Sequence, residues 1–273
     1  MEYKDMISIW DYPGTFGAAI GDVIGSMYEF EYGRKDSKDQ VRFFRDGSTY
    51  TDDTVLTCAV ADYLRAQEAA KAKDFLVSWA RNYPFAGYGA RFLEFIHSPD
   101  PQPYGSFGNG SAMRVSPVAY YAKSEEDVIR LSDEVTAPTH NHPEGMKGAR
   151  VIAMCIYKAL HGASRKEIAD YAQAYYDLAH CSYDEWKRFP GHGDEICQVT
   201  VPQALWIFLH SDSFEDCLRL CMAIRWDADT LAAIACPIAE AYYKEIPAFL
   251  LEGVQAKLDA RILEALRSVP KKV

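Results

Sequence analysis

Alternating apolar and polar runs, the mark of half-buried strands, are nearly missing from this 273-residue chain; residues 41–44 form the single short candidate. Positive charge is also in deficit, with 29 Lys and Arg against 39 Asp and Glu and a net charge of −10. An acidic protein gains nothing from releasing counterions off a nucleic-acid backbone, so bulk nucleic-acid binding is not expected. The longest apolar runs, 151–157 and 231–238, are too short to span a bilayer, so no membrane association is expected. Nothing near Met1 pairs a basic segment with an apolar one, and no secretory signal is expected. Neither CxxC nor HExxH occurs, which removes the common zinc patterns. Cys58, Cys155, Cys217, Cys221 and Cys236 sit inside apolar helical patterns, where cysteine acts as a small hydrophobe. A reduced, cytoplasmic protein is the expectation. No repeat, low-complexity tract or linker divides the chain, so residues 1–273 are read as one domain.

Helical periodicity fills the space that strands leave. Val55, Leu56, Ala59, Val60, Tyr63 and Leu64 form one apolar stripe, and Val151, Ile152, Cys155, Ile156 and Leu160 another. The pattern predicts an all-α fold, a compact bundle of about a dozen helices. They are expected near 13–29, 53–70, 74–82, 88–97, 110–122, 124–136, 143–161, 164–179, 199–210, 213–224, 228–243 and 247–267. Residues 181–198 lack periodicity and read as a surface excursion. Gly17, Gly21 and Gly25 recur every fourth residue in the first helix, at a cost in helix stability that a close approach of another backbone would explain.

Four segments carry chemistry. Thr51-Asp52-Asp53-Thr54 and Asp227-Ala228-Asp229-Thr230 each open an apolar-periodic helix. Either alone reads as a helix cap. If the two helix starts face each other, however, four carboxylates converge with threonine hydroxyls into a hard-oxygen site suited to Mg²⁺ or Mn²⁺. Buried like charges do not coexist without a cation. The glycine-rich run Gly105-Ser106-Phe107-Gly108-Asn109-Gly110 precedes a helix and reads equally as a phosphate cradle or a tight turn. Thr139-His140-Asn141-His142 precedes another helix, with Asn141 a candidate cap and His140, alone, an ordinary packed histidine.

In this order, with Gly17–Asp22, Gly25–Glu29 and Ala239–Tyr243 at the two ends, these segments resemble the ADP-ribosylglycohydrolase family. The resemblance implies an all-α fold with a binuclear Mg²⁺ centre between helix N-termini. By position, Thr51, Asp52, Asp53, Asp227, Asp229 and Thr230 would be the metal ligands. Gly105, Ser106, Phe107, Gly108 and Asn109 would hold the diphosphate, and His140 would contact ADP-ribose. Glu29 matches an acid that gates the site or assists catalysis, beside Asp52, Asp53 and Asp229. The implied reaction is hydrolysis of the bond between ADP-ribose and an acceptor, either a modified protein side chain or a small molecule. The alternatives are an inactive ADP-ribose binder and a two-metal nucleotide or phosphodiester hydrolase. Two departures stand out: Arg225-Trp226 where the family usually has two glycines, and Pro237, expected to kink the last motif-bearing helix.

Overall fold

The computed structural model describes residues 5–31, 37–66, 71–181, 183–188, 195–224 and 226–271. Its elements are almost all helical: α1 (Gly17–Gly25), α2 (Asp52–Ala66), α3 (Ala72–Asn82), α4 (Ala90–His97), α5 (Gly110–Met113), α6 (Val118–Tyr121), α7 (Glu125–Thr136) and α8 (Pro143–Leu160). They continue with α9 (Arg165–Gln173), α10 (Tyr183–Arg188), α11 (Cys197–His210), α12 (Phe214–Ile224), α13 (Ala228–Tyr243), α14 (Ala248–Gln255) and α15 (Ala260–Arg267). The strands are β1 (Met6–Ser8) and β2 (Glu245–Pro247), antiparallel with Ile7 opposite Ile246.

The centre of the molecule is α13. Every residue from Ala228 to Ala241 is buried, as expected of a helix that is apolar all round. It packs against α1, α8, α11 and α12. The closest of these contacts is with α1, and the glycine stripe explains it. A Cβ on Gly17 would lie 2.9 Å from the Cys236 carbonyl oxygen, one on Gly21 2.4 Å from the Ala232 carbonyl carbon, and one on Gly25 2.3 Å from the Asp229 Cα. The two helices therefore run antiparallel in backbone contact. The start of α1 is tied to α13 as well. The fully buried Glu240 accepts from the Gly17 N–H at 2.7 Å, the Phe16 N–H at 3.1 Å, the Thr15 hydroxyl at 2.7 Å and the Tyr12 hydroxyl at 2.7 Å. A carboxylate at the positive end of a helix is favourably placed.

Several expectations need correction. The helix expected over 13–29 is confined to α1. Gly14 takes φ of +77° before it and Phe30 takes φ of +51° after it, and neither conformation is helical. The helix expected over 110–122 is two short ones, because Pro117 has no N–H with which to extend α5. That expected over 247–267 breaks into α14 and α15, where Asp259 caps the second helix through the Arg261 and Ile262 N–H groups. Residues 41–44 are not a strand; the strands lie elsewhere, in runs too short to show periodicity. The proposed surface excursion contains α10, and its end returns to pair Ile196 with Gly108. Helix α13 continues through Pro237 without interruption. The helical end expected at 67–70 lies outside the described residues, as does Arg225.

Candidate functional site

Because α1 lies against α13, Asp22 on α1 faces the starts of both α2 and α13. Asp22 is wholly buried. It accepts from the Thr51 N–H at 2.9 Å, the Thr51 hydroxyl at 2.8 Å, the Thr54 N–H at 3.0 Å and the Thr54 hydroxyl at 2.5 Å. It thus caps α2 from another helix, and the α2 carboxylates are not consumed as caps. Nor does the Asp227 side chain cap α13; it accepts instead from the Asn109 amide at 2.5 Å. Asp229 Oδ1 accepts from the first-turn Thr230 N–H at 2.9 Å, so capping accounts for part of the second cluster but leaves Asp53 Oδ1 unexplained.

The clusters converge. Asp22, Asp53 and Asp229 each offer a carboxylate oxygen within 4.8 Å of the others, and so do Glu29, Asp227 and Asp229. Asp229 belongs to both groups. Asp53 Oδ2 accepts from the hydroxyls of Thr51 at 3.2 Å and Thr230 at 3.3 Å, while Asp53 Oδ1 is buried with no hydrogen-bond partner. None of these acids, nor Asp52, pairs with Lys or Arg among the described residues. Burial first, then the neighbouring carboxylates, pushes Asp52, Asp53 and Asp229 far above the usual range. Burial, then Asp227, Glu195 and Asp22, pushes Glu29 up to about 7. An orphaned buried carboxylate oxygen amid all-oxygen donors, with no opposing side-chain cation among the described residues, fits hard divalent cations. The cluster is a site that could hold metal.

Above the acids opens a cleft of about 430 Å³. Asp52, Asp227, Thr230 and Glu29 form one side of it, and Ser106, Gly108, Asn109 and His140 line it too. Asp53 and Asp229 are buried and do not line it, and Thr51 turns toward Asp22. Gly105 and Phe107 do not line the cleft. Gly105 adopts φ of +65° and donates its N–H to Asn141 Oδ1 at 2.7 Å, and Phe107 sits against the His142 ring. Asn141 thus ties down the glycine-rich loop, and His142 caps α8 in its place, accepting from the Glu144 N–H. The N–H groups of Ser106, Gly108 and Asn109 are also used internally, by the Thr139 carbonyl, the Ser106 hydroxyl and the Glu195 carbonyl. These amides make the loop a tied turn.

Sequence reasoning missed Asp22 as a site residue, although a lone acid inside an apolar glycine-rich helix is a readable signal. It also missed Arg91, Tyr104, Arg114 and Glu195, all of which line the cleft. Trp226 does not line it. The half-buried Trp226 packs edge-on against Phe30 with ring centroids 5.2 Å apart, its carbonyl accepts from the Phe30 N–H at 2.7 Å, and Phe30 is the residue in the cleft wall.

A mostly helical fold with convergent buried carboxylates beside a polar cleft defines a class: proteins that could hold metal between helix starts. The particular family follows from comparison. The profile described as ADP-ribosylglycohydrolase matches residues 14–272, and the chain belongs to that family of hydrolases. It is 26% identical over 306 residues to ADP-ribosylhydrolase ARH3 of Bos taurus, covering 83% of each chain. It is 26% identical over 280 residues to the ADP-ribosyl-[dinitrogen reductase] glycohydrolase of Rhodospirillum rubrum, covering 93% of this chain and 92% of that one. Similarity to the ADP-ribosylarginine hydrolase Tri1 of Pseudomonas putida is 26% over 264 residues, with 83% and 68% covered. The fold is shared with a solved structure titled ADP-ribosylglycohydrolase-related protein complex, at TM-score 0.71 and 23% identity over 93% of this chain and 94% of that one. Among the described residues, no helix is long and apolar enough to cross a membrane.

Proposed function

We propose that this protein hydrolyses the glycosidic bond between ADP-ribose and an acceptor side chain, releasing ADP-ribose, and that it needs Mg²⁺ or Mn²⁺ to do so. The observation that carries the reading is the partnerless Asp53 Oδ1 in an acid group that shares Asp229 with a second one, Glu29, Asp227 and Asp229, beside the cleft. Asp53, Asp227 and Asp229 would hold two cations, with Asp52, Thr51 and Thr230 beside them. When bound, such ions supply Lewis acidity and orient sugar hydroxyls. Asp22 fixes the α2 start through its four donors and so holds Asp52 and Asp53 in place. Ser106, Gly108, Asn109 and His140 would contact the ADP-ribose moiety, with Gly105 and Phe107 shaping the loop that carries them.

Glycosidic cleavage passes through an oxocarbenium-like transition state and requires a proton to move. Glu29 would do that work: it lines the cleft and belongs to the second acid group. Relatives named for removing ADP-ribose from dinitrogen reductase and from arginine support an ADP-ribosylated protein as the substrate. The test is turnover of arginine-linked and serine-linked ADP-ribosyl peptides with product analysis. Release of free ADP-ribose that stops in EDTA is expected. Release of AMP, or full turnover in excess EDTA, overturns the proposal.

A further inference from the structure

His140 is 5% exposed and stands in the cleft wall with its two ring nitrogens in different surroundings. Nε2 lies beside the glycine-rich turn, where a Cβ on Gly110 would come within 3.3 Å of it and one on Gly108 within 3.6 Å. Nδ1 faces the Thr139 hydroxyl at 2.7 Å. A hydroxyl can donate or accept, so that contact alone leaves the tautomer open. The third member decides it. Arg114 Nη2 donates to the same Thr139 oxygen at 2.7 Å, and a guanidinium has no acceptor capacity. The Thr139 hydroxyl, itself fully buried, has no other side-chain partner among the described residues. Its single proton therefore has one acceptor in reach, the lone pair of Nδ1. If Nδ1 carried the proton instead, three hydrogens would crowd one oxygen and a buried hydroxyl would have nowhere to donate.

We propose that Arg114 and Thr139 are positioning residues that hold His140 in the tautomer with its proton on Nε2. The ring then presents one neutral donor to an acceptor oxygen, a hydroxyl or a phosphate, of the molecule in the cleft. Burial, with the Arg114 and Arg91 charges nearby, disfavours the imidazolium and keeps the ring neutral. Arg114 is 1% exposed, donates through Nη2 to Thr139 and the Val135 carbonyl, has a buried Nε without a hydrogen-bond partner, and makes no ion pair with a carboxylate among the described residues. A second-sphere partner that fixes a histidine tautomer is a recurring way to aim its other nitrogen.

This inference rests on the proposed function only in the choice of ADP-ribose as probe. The first measurement needs no ligand: long-range proton–nitrogen correlation spectra of the whole chain labelled in its histidine nitrogens, with His140 assigned by loss of its signals in His140→Gln. A proton on Nε2 and a bare Nδ1 are expected. Thr139→Val should release the lock and give a tautomer mixture. ADP-ribose affinity, by calorimetry with Mg²⁺ present, should weaken about tenfold, the worth of one ordinary hydrogen bond. Thr139→Ser should restore both. A wild-type signal with the proton on Nδ1 overturns the proposal, as does a folded Thr139→Val with unchanged tautomer and affinity. If Thr139→Val does not fold, the wild-type spectrum and Thr139→Ser still decide. ADP-ribose failing to bind wild-type protein would sink the proposed function while the tautomer measurement stood.

Discussion

Consider Gly21→Ala, which adds one methyl group between the two helices that carry the site. Its Cβ would lie 2.4 Å from the Ala232 carbonyl carbon, 2.5 Å from the carbonyl oxygen and 2.6 Å from the Ala233 nitrogen. Ordinary contact begins at 3.4 Å, so α1 must retreat by about 1 Å (3.4 − 2.4). Two effects oppose each other. Alanine is the better helix former by about 1 kcal/mol. Overpacking a close-packed core costs about 1–3 kcal/mol. The upper end applies because the clash is with the backbone of a helix buried on every side, which no side-chain rotation relieves. Steric cost wins, for a net loss of about 2 kcal/mol, or a fall of roughly 4–8 °C in melting temperature for a chain of this size. The same shift carries Asp22, and with it the α2 start, away from Asp229, so calorimetric Mg²⁺ affinity should fall as well. Gly89→Ala is the control: its Cβ meets nothing within 4 Å, so little change is expected. If Gly21→Ala melts at or above the wild-type temperature and binds Mg²⁺ as tightly, the reasoning about α1 and α13 is wrong.

Asp53→Asn removes one of several mutually repelling buried carboxylates. It should raise the melting temperature of metal-free protein, abolish the Mg²⁺-induced rise, and cut turnover by at least about 100-fold, beyond what loss of an outer metal-site partner costs; an unchanged Mg²⁺ response would refute it. His140, held neutral far below its ordinary 6.5 mainly by burial, binds fewer protons folded than unfolded as pH falls through 6.5. The stability it contributes is present above that pH and is lost below it, by up to about 1.4 kcal/mol per pH unit. Wild-type melting should therefore fall relative to His140→Gln between pH 6.5 and 5, and parallel curves would contradict the burial argument. Trp226→Gly should cost about 2 kcal/mol, below the full large-to-small aromatic penalty because the ring is half-buried. It should lower kcat/KM equally for arginine-linked and serine-linked peptides, since Phe30 and not Trp226 forms the wall; unequal changes would return Trp226 to the pocket.

The sequence by itself determined the class of the fold, because periodicity of 3.6 and the absence of alternation are local properties that packing later exploits. It also placed Asp52, Asp53, Asp227 and Asp229 at helix starts, and the structure has them there. The glycine stripe announced a close helix contact, since three glycines in one helix are costly unless another backbone needs the room. Only the tertiary structure decided which helix makes that contact, and the antiparallel match of Gly21 to Ala232 has no trace in either segment alone. The same holds for the two capping acids, Asp22 and Glu240. Each looks like an isolated charge in an apolar helix until the neighbouring helix start supplies its donors. The bonds of the Ser106 and Asn109 amides to the Thr139 and Glu195 carbonyls, the return of Glu195 to the cleft, and the bond from Arg114 to Thr139 join residues far apart in the chain. Hydrogen bonds of that kind are set by where packed helices bring side chains. Local sequence limits which residues can make them, and the fold chooses the partners.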